Sequence, residues 1–213
     1  MINSITAFGA TPISHEKVDL KFTQKQIDHI LSLEYNSRDF TADKLRVTKD
    51  IFILNHDVLK NVREFLTYKV ESYKKDVLQI GNKLKLTSSW IAINKKNSKH
   101  HTHTHRNSFI SIVYYINCKS GALDIEIPKS PLEQGYYFEY DIIQNNVFNS
   151  RVLTLDVKDQ SLVIFPSWLV HGTHINQDEN ERIIMGADFM IEGRFGSKEA
   201  NDLIEYTLKD FNK

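Results

Sequence analysis

Hydrophobic positions follow a helical period early in this chain and a strand-like period later. Thr23 precedes Ile27, Ile30 and Leu31, which have the spacing of one helical face behind a threonine N-cap. A second, longer helix starts near His56-Asp57, with Val58, Leu59, Val62, Phe65, Leu66, Val70, Tyr73, Val77 and Ile80 marking its apolar side. From Lys83 onward, short β-branched and aromatic runs replace that period. They are Leu84 to Asn94, Ser108 to Asn117, Ala122 to Ile127, Tyr136 to Ile142, Arg151 to Val157, Ser161 to Phe165 and Arg182 to Ile191, separated by Asn, Lys, Gly, Pro and Ser. Such a series predicts a closed or double-sheet β architecture on which the helices pack. A last helix is predicted from Ser197 through Leu203, Ile204, Tyr206 and Leu208. No repeat or Pro/Gly linker divides the chain, so residues 1–213 read as a single domain. Its parts are a mainly helical flank over 1–82, a β core over 83–191 and a C-terminal helix over 192–213.

Composition narrows the function classes. A chain of 213 residues with 41% hydrophobic and 11% aromatic content can bury one sizeable core. Lys plus Arg and Asp plus Glu both total 27, so no global field points to nucleic acid or a membrane surface. No apolar run approaches the roughly 20 residues that span a bilayer, and Met1 to Ala10 lacks a basic segment followed by an apolar stretch. A cytoplasmic protein is expected. Cys118 is the single cysteine, which excludes an internal disulfide framework and a cysteine-rich zinc site.

The histidines change the picture. Four of the nine fall within His100-His101-Thr102-His103-Thr104-His105, just before a β-branched and aromatic run. In an extended segment, residues two apart point the same way, so His103 and His105 can turn both imidazoles toward one ion. A third candidate, His171, ends Phe165-Pro166-Ser167-Trp168-Leu169-Val170-His171. His174 competes with it less well, and His101 with His103 is the alternative near pair. His15, His29 and His56 read as ordinary surface or hydrogen-bonded residues. Imidazoles suit zinc, copper, iron and nickel alike, and three protein ligands leave coordination positions open, as a catalytic centre requires. Arg182 stands in the apolar run Glu181-Arg182-Ile183-Ile184-Met185-Gly186, where a guanidinium is costly unless it meets an anion. That anion is either a structural partner such as Glu181 or Asp188, or the carboxylate of a chelating oxoacid co-substrate. With His171 eleven positions earlier, the co-substrate is the favoured partner.

Several segments together carry a family resemblance. Trp90 to Asn94, His103 to Tyr115, Gly121-Ala122-Leu123, the Phe165 to His171 segment and Glu181-Arg182-Ile183 resemble the 2-oxoglutarate- and Fe(II)-dependent oxygenases of a family found in marine bacteria and their phages, prolyl-hydroxylase-like in type. The resemblance covers roughly residues 84 to 191. It implies a mainly β fold with flanking helices around a double-stranded β-helix, the jelly-roll or cupin-like barrel. It also implies Fe(II) on His103, His105 and His171, and 2-oxoglutarate as co-substrate with its distal carboxylate on Arg182. Asn94 and Tyr115 become candidate co-substrate contacts, with a strand-end cap and a core aromatic as their structural alternatives. The implied activity is hydroxylation of a prime substrate, with 2-oxoglutarate converted to succinate and CO2. The chain departs from the wider pattern in having His-x-His where Asp or Glu usually follows the first histidine. It also has Ile112 where the family has Gly, and Ile184 where a polar residue is common two after the arginine. Two other classes stand beside this reading: a cupin-type dioxygenase that needs no 2-oxoglutarate, and a non-enzymatic metal- or sugar-binding jelly roll. Succinate release separates the first class from both. Tyr136, Tyr137 and Tyr140 with Lys95, Lys96 and Lys99 are candidates for the mouth of the site, or ordinary strand and surface residues. A small-molecule co-substrate is the one partner expected, with no membrane and no evident nucleic acid, and the sequence leaves room for a homodimer.

Overall fold

The computed structural model describes residues 9–37, 45–133 and 138–209. Strands are β1 (Ser14–Lys17), β2 (Tyr35–Ser37), β3 (Leu45–Thr48), β4 (Lys83–Asn94), β5 (Ile110–Asn117), β6 (Gly121–Glu126), β7 (Val152–Val157), β8 (Ser161–Pro166), β9 (Val170–Thr173), β10 (Arg182–Phe195) and β11 (Ile204–Tyr206). The α-helices are α1 (Gln24–Ser32) and α2 (Lys60–Tyr73). An eight-stranded sheet has the order β1-β8-β5-β10-β4-β3-β2, with β11 on β10, and faces a three-stranded sheet of order β7-β6-β9. This is the mainly β, double-stranded β-helix architecture that the strand runs and the resemblance predict.

Alternation along β10 sets the layers. Ile183, Met185, Ala187 and Phe189 point into a core shared with Ile30, Leu59, Val62, Leu66 and Val70 of the helical side. Ile184 joins a second core between the sheets with Val113, Leu123, Ile125, Val163 and Phe165. Residues of the same parity as Ile184, namely Arg182, Gly186 and Asp188, therefore face the space between the sheets. Antiparallel pairing continues those rows sideways, matching Arg182 with Asn94, Ile184 with Ala92 and Tyr115, Gly186 with Trp90 and Val113, and Asp188 with Ser88 and Ser111. Gly186 is required here, because a Cβ would lie 2.4 Å from the Trp90 indole.

Both helices form where the apolar period places them. Thr23 caps α1 in a capping box with Gln26. Buried Gln26 also donates to Val58 O at 2.9 Å and Asn61 Oδ1 at 2.7 Å, tying α1 to the start of α2. The helical flank also carries strands that the period does not show: β1, β2 and β3 extend the large sheet; at three or four residues each they are too short to show alternation, and pairing with β8 and β4 creates them. Two expectations are corrected. The C-terminal helix is absent among the described residues. Asn201 takes a left-handed conformation at φ 57°, and Ile204–Tyr206 then pairs with Gly193–Phe195 as β11. In the run from Tyr136 to Ile142, the first two residues lie outside the described ones. From Phe138 onward the run is not a strand, since it crosses the surface between β6 and β7 while both edges of β6 are already taken by β7 and β9.

Candidate metal centre and the buried arginine beside it

Backbone pairing builds the site. His103 and His171 exchange both amide hydrogen bonds at 2.9 Å, and His105 N donates to Ser167 O at 3.1 Å, so the histidine-rich segment is stitched alongside β9. One potential ligand atom from each of His103, His105 and His171 lies within 4.8 Å of the other two. Extended geometry sends His103 and His105 to the same side, and the bridge sets His171 opposite them.

Each imidazole commits its Nδ1 elsewhere. That of His103 donates to His101 O at 2.7 Å, that of His171 to Leu169 O at 3.1 Å, and that of His105 to the Asp188 carboxylate at 2.6 Å. The Nε2 lone pairs are left to face the shared space. Those of His105 and His171 stand only 3.1 Å apart, an arrangement that repels unless a cation or proton lies between them. Two ligands at right angles around an ion with bonds of about 2.1 Å stand about 3.0 Å apart, so the observed spacing fits a metal centre. The three histidines can therefore hold a metal ion. A cavity of about 20 Å³ beside them, bounded by Trp90, Ala92, Val113, Leu123, Ile184 and Gly186, has room for an ion or one water.

Burial holds the imidazoles of His103 and His171, and that of neighbouring His100, in the neutral form, the one that binds metal. Desolvation is the largest cause in each case, assisted by neighbouring histidines, and pushes His171 down to about 3 and His100 to about 2, with His103 also lowered. The sign for stability follows. At His171 the unfolded chain takes up a proton below about pH 6.5 and the folded, metal-free protein does not until about pH 3, so this contribution to stability is full above the first pH and is lost progressively down to the second. His171 is 3% exposed, and alone it should remove about 2 kcal/mol between pH 7 and pH 5. Urea unfolding of the metal-free protein at the two pH values measures this, and the drop should shrink in His171→Ala.

Arg182 lies 1% exposed on the inner face of β10. Its NH2 donates to Thr173 Oγ1 and His174 O, both at 2.9 Å, while Nε and NH1 have no partner. The two acids considered as structural partners are engaged elsewhere, Glu181 with Arg46 at 3.0 Å and Asp188 with His105. Burial lowers the arginine's pKa. Asn94, in register with Arg182, has both side-chain polar atoms buried without partners, and so has the Tyr115 hydroxyl. Gly121 belongs to this corner too, because a Cβ there would approach Arg182 NH1 to 3.4 Å and Cys118 Sγ to 3.2 Å. Buried polar groups without partners around an unpaired guanidinium are the chemistry that a carboxylate would satisfy.

The other sequence candidates fall outside this arrangement. His174 pairs with Asp124 at 2.8 Å on the outer side of the small sheet, and His101 contributes its carbonyl. His29, His56 and Asp50 form a separate hydrogen-bonded chain. Burial raises the Cys118 thiol to about 11, which leaves it unreactive. Lys96 pairs with Glu179, Tyr136 and Tyr137 lie outside the described residues, and Tyr140 does not line the metal cleft. That cleft, about 320 Å³, opens outside the histidines and is lined by Val47, Thr48, Ile51, Trp90 and Arg106 among others. The sequence reading missed Asp188 as the partner of His105. Its shared parity with Arg182 along β10 was the available signal.

Comparison with known proteins agrees with this geometry. Residues 88–188 match the family described as "Putative 2OG-Fe(II) oxygenase". No curated protein matches the chain. Among solved structures, HygX from Streptomyces hygroscopicus with nickel and 2-oxoglutarate bound is 12% identical, with TM-score 0.57 over 84% of this chain and 83% of that one. The non-heme alpha ketoglutarate dependent epimerase SnoN from nogalamycin biosynthesis is 11% identical, with TM-score 0.60 over 84% and 78%. A Pseudomonas putida prolyl-4-hydroxylase is 13% identical, with TM-score 0.53 over 86% and 94%. At these identities the likeness is one of fold.

Proposed function

We propose that the chain is an Fe(II)- and 2-oxoglutarate-dependent oxygenase that hydroxylates a prime substrate, with the balance 2-oxoglutarate + O2 + R–H → succinate + CO2 + R–OH. The observation that carries this reading is Arg182, buried with two free donor nitrogens beside a three-histidine cluster and engaged by no carboxylate among the described residues. A bare metal site has no use for such a group, and a buried charge without a counter-ion costs stability.

In this reading His103, His105 and His171 hold iron through Nε2, and bound Fe(II) supplies the dioxygen chemistry. The chain's residues supply position. Arg182 takes the distal carboxylate of 2-oxoglutarate, with the Tyr115 hydroxyl and the Asn94 amide in reach of the same group. Thr173, which accepts from Arg182 and also borders the histidine cavity, links the two halves of the pocket. Because that cavity is about 20 Å³, a dicarboxylate must part the side chains between His171 and Arg182 on binding. Trp90 has its ring centroid 5.2 Å from that of His105 and packs on Gly186, where it shields the reacting centre from water on the side of the open cleft. The prime substrate enters by that cleft.

Fe(II)-reconstituted protein supplied with 2-oxoglutarate, air and ascorbate, which supplies the two electrons and two protons that R–H otherwise provides, should slowly release succinate above the rate of a protein-free iron control, and His171→Ala should not. Oxygen consumption on a chelating substrate without 2-oxoglutarate would favour a cupin-type dioxygenase instead.

A further inference from the structure

The three-histidine cluster includes no carboxylate ligand among the described residues, yet a buried carboxylate stands directly behind one of its imidazoles. Asp188 accepts from His105 Nδ1 at 2.6 Å, and the two side chains are 12% and 5% exposed. The other two histidines donate to neutral backbone carbonyls. The asymmetry falls on the position two after His103, where the wider superfamily pattern has Asp or Glu. Asp188 is held firmly, since Ser111 Oγ donates to it at 2.6 Å and Ser88 Oγ at 3.2 Å, from the two strands flanking β10. Ser111 itself meets Ser167 at 2.8 Å, and Ser167 in turn meets Ser108 at 2.8 Å.

We propose that Asp188 is a positioning residue that delivers negative charge to the metal through His105, replacing in the outer shell the carboxylate missing from the ligand set and setting the reduction potential of bound iron. The inference rests on the Fe(II) reading above. A carboxylate drawing on the Nδ1 proton across a short, charge-assisted bond makes Nε2 a stronger donor. Burial keeps the charge from being screened by water and salt. Added negative charge stabilises Fe(III) more than Fe(II), so it lowers the potential of the one-electron couple. The same bond fixes the plane of the His105 ring, and a test must separate charge from orientation.

Asp188→Asn keeps the shape and removes the charge. Loss of such an outer partner should weaken Fe(II) binding about 10- to 100-fold. If charge is the cause, Fe(III) binding should weaken about tenfold more, which raises the midpoint potential of the protein-bound couple by about 59 mV. Anaerobic redox titration of the iron-loaded protein without 2-oxoglutarate reads it. Ser111→Ala, which loosens Asp188 but leaves its charge, should shift the potential far less. An unchanged potential in Asp188→Asn alongside weaker binding, or an equal shift in Ser111→Ala, would reduce Asp188 to a structural support. The Zn(II)-loaded wild type provides a readout that needs no variant: the His105 Nδ1 proton should resonate well downfield of those of His103 and His171, and coincidence of the three would overturn the proposal. A wild type that binds no iron at these histidines overturns the Fe(II) reading itself, whereas iron binding with a potential insensitive to Asp188 overturns only the present inference.

Discussion

His171→Ala loses high-affinity Fe(II) binding, and His103→Ala does the same, while His15→Ala binds as the wild type does. The expected size comes from metal-site energetics. Four-ligand sites are worth roughly 10–16 kcal/mol, or about 2.5–4 kcal/mol per ligand, so one missing imidazole should weaken affinity by about two orders of magnitude or more. His171 carries the larger expectation because it is 3% exposed on β9 with its Nδ1 already engaged, and His100, which borders the same cavity, stands outside the three-histidine group. His15 lies on β1 at the edge of the large sheet, outside the cluster. Equilibrium competition with a chromophoric chelator under anaerobic conditions gives the three affinities. Wild-type affinity in both His103→Ala and His171→Ala would place the metal elsewhere.

Arg182→Lys should bind 2-oxoglutarate far more weakly while keeping its Fe(II) affinity. A guanidinium offers a planar fork to a carboxylate, and a lysine offers one point charge on a shorter reach. Truncating a buried, hydrogen-bonded charge pair costs on the order of 2–5 kcal/mol, so affinity should fall by at least tenfold and by as much as a thousandfold or more. Two of the arginine's three nitrogens are free for this role, and its NH2 bonds to Thr173 and His174 O keep the fork aimed. Anaerobic calorimetry on the Fe(II)-loaded protein measures the change. Unchanged affinity in a folded Arg182→Lys protein would leave the arginine a structural role only.

Much of this site was legible in the sequence because period and parity are local rules. The two-residue spacing of His103 and His105 was enough to put their imidazoles on one side, and an arginine inside an apolar strand demanded an anion. The same rules found α1 with its Thr23 cap and the long face of α2. What local rules cannot supply is the partner across a sheet. Asp188 looked like a plausible counter-ion for Arg182, yet the two lie six residues apart on one extended strand, so Asp188 faces His105 and leaves Arg182 open. The short strands β1, β2, β3 and β9 exist by virtue of the edges they pair with, and a four-residue segment such as Ser14–Lys17 carries too few positions to show alternation. The C-terminal segment had a helical spacing, but the edge of β10 captured it as a strand. Conversely, residues 138–142 of the apolar run found no edge and lie on the surface, with Phe138 and Ile142 exposed.

The central claim is that one pocket joins a three-histidine iron centre to a carboxylate site at Arg182. A crystal structure of the protein with Fe(II) and 2-oxoglutarate, grown without oxygen, tests it most directly. The account predicts iron on Nε2 of His103, His105 and His171, with the far carboxylate of 2-oxoglutarate on Arg182 Nε and NH1. Iron held by other groups, or 2-oxoglutarate bound away from Arg182, would contradict it.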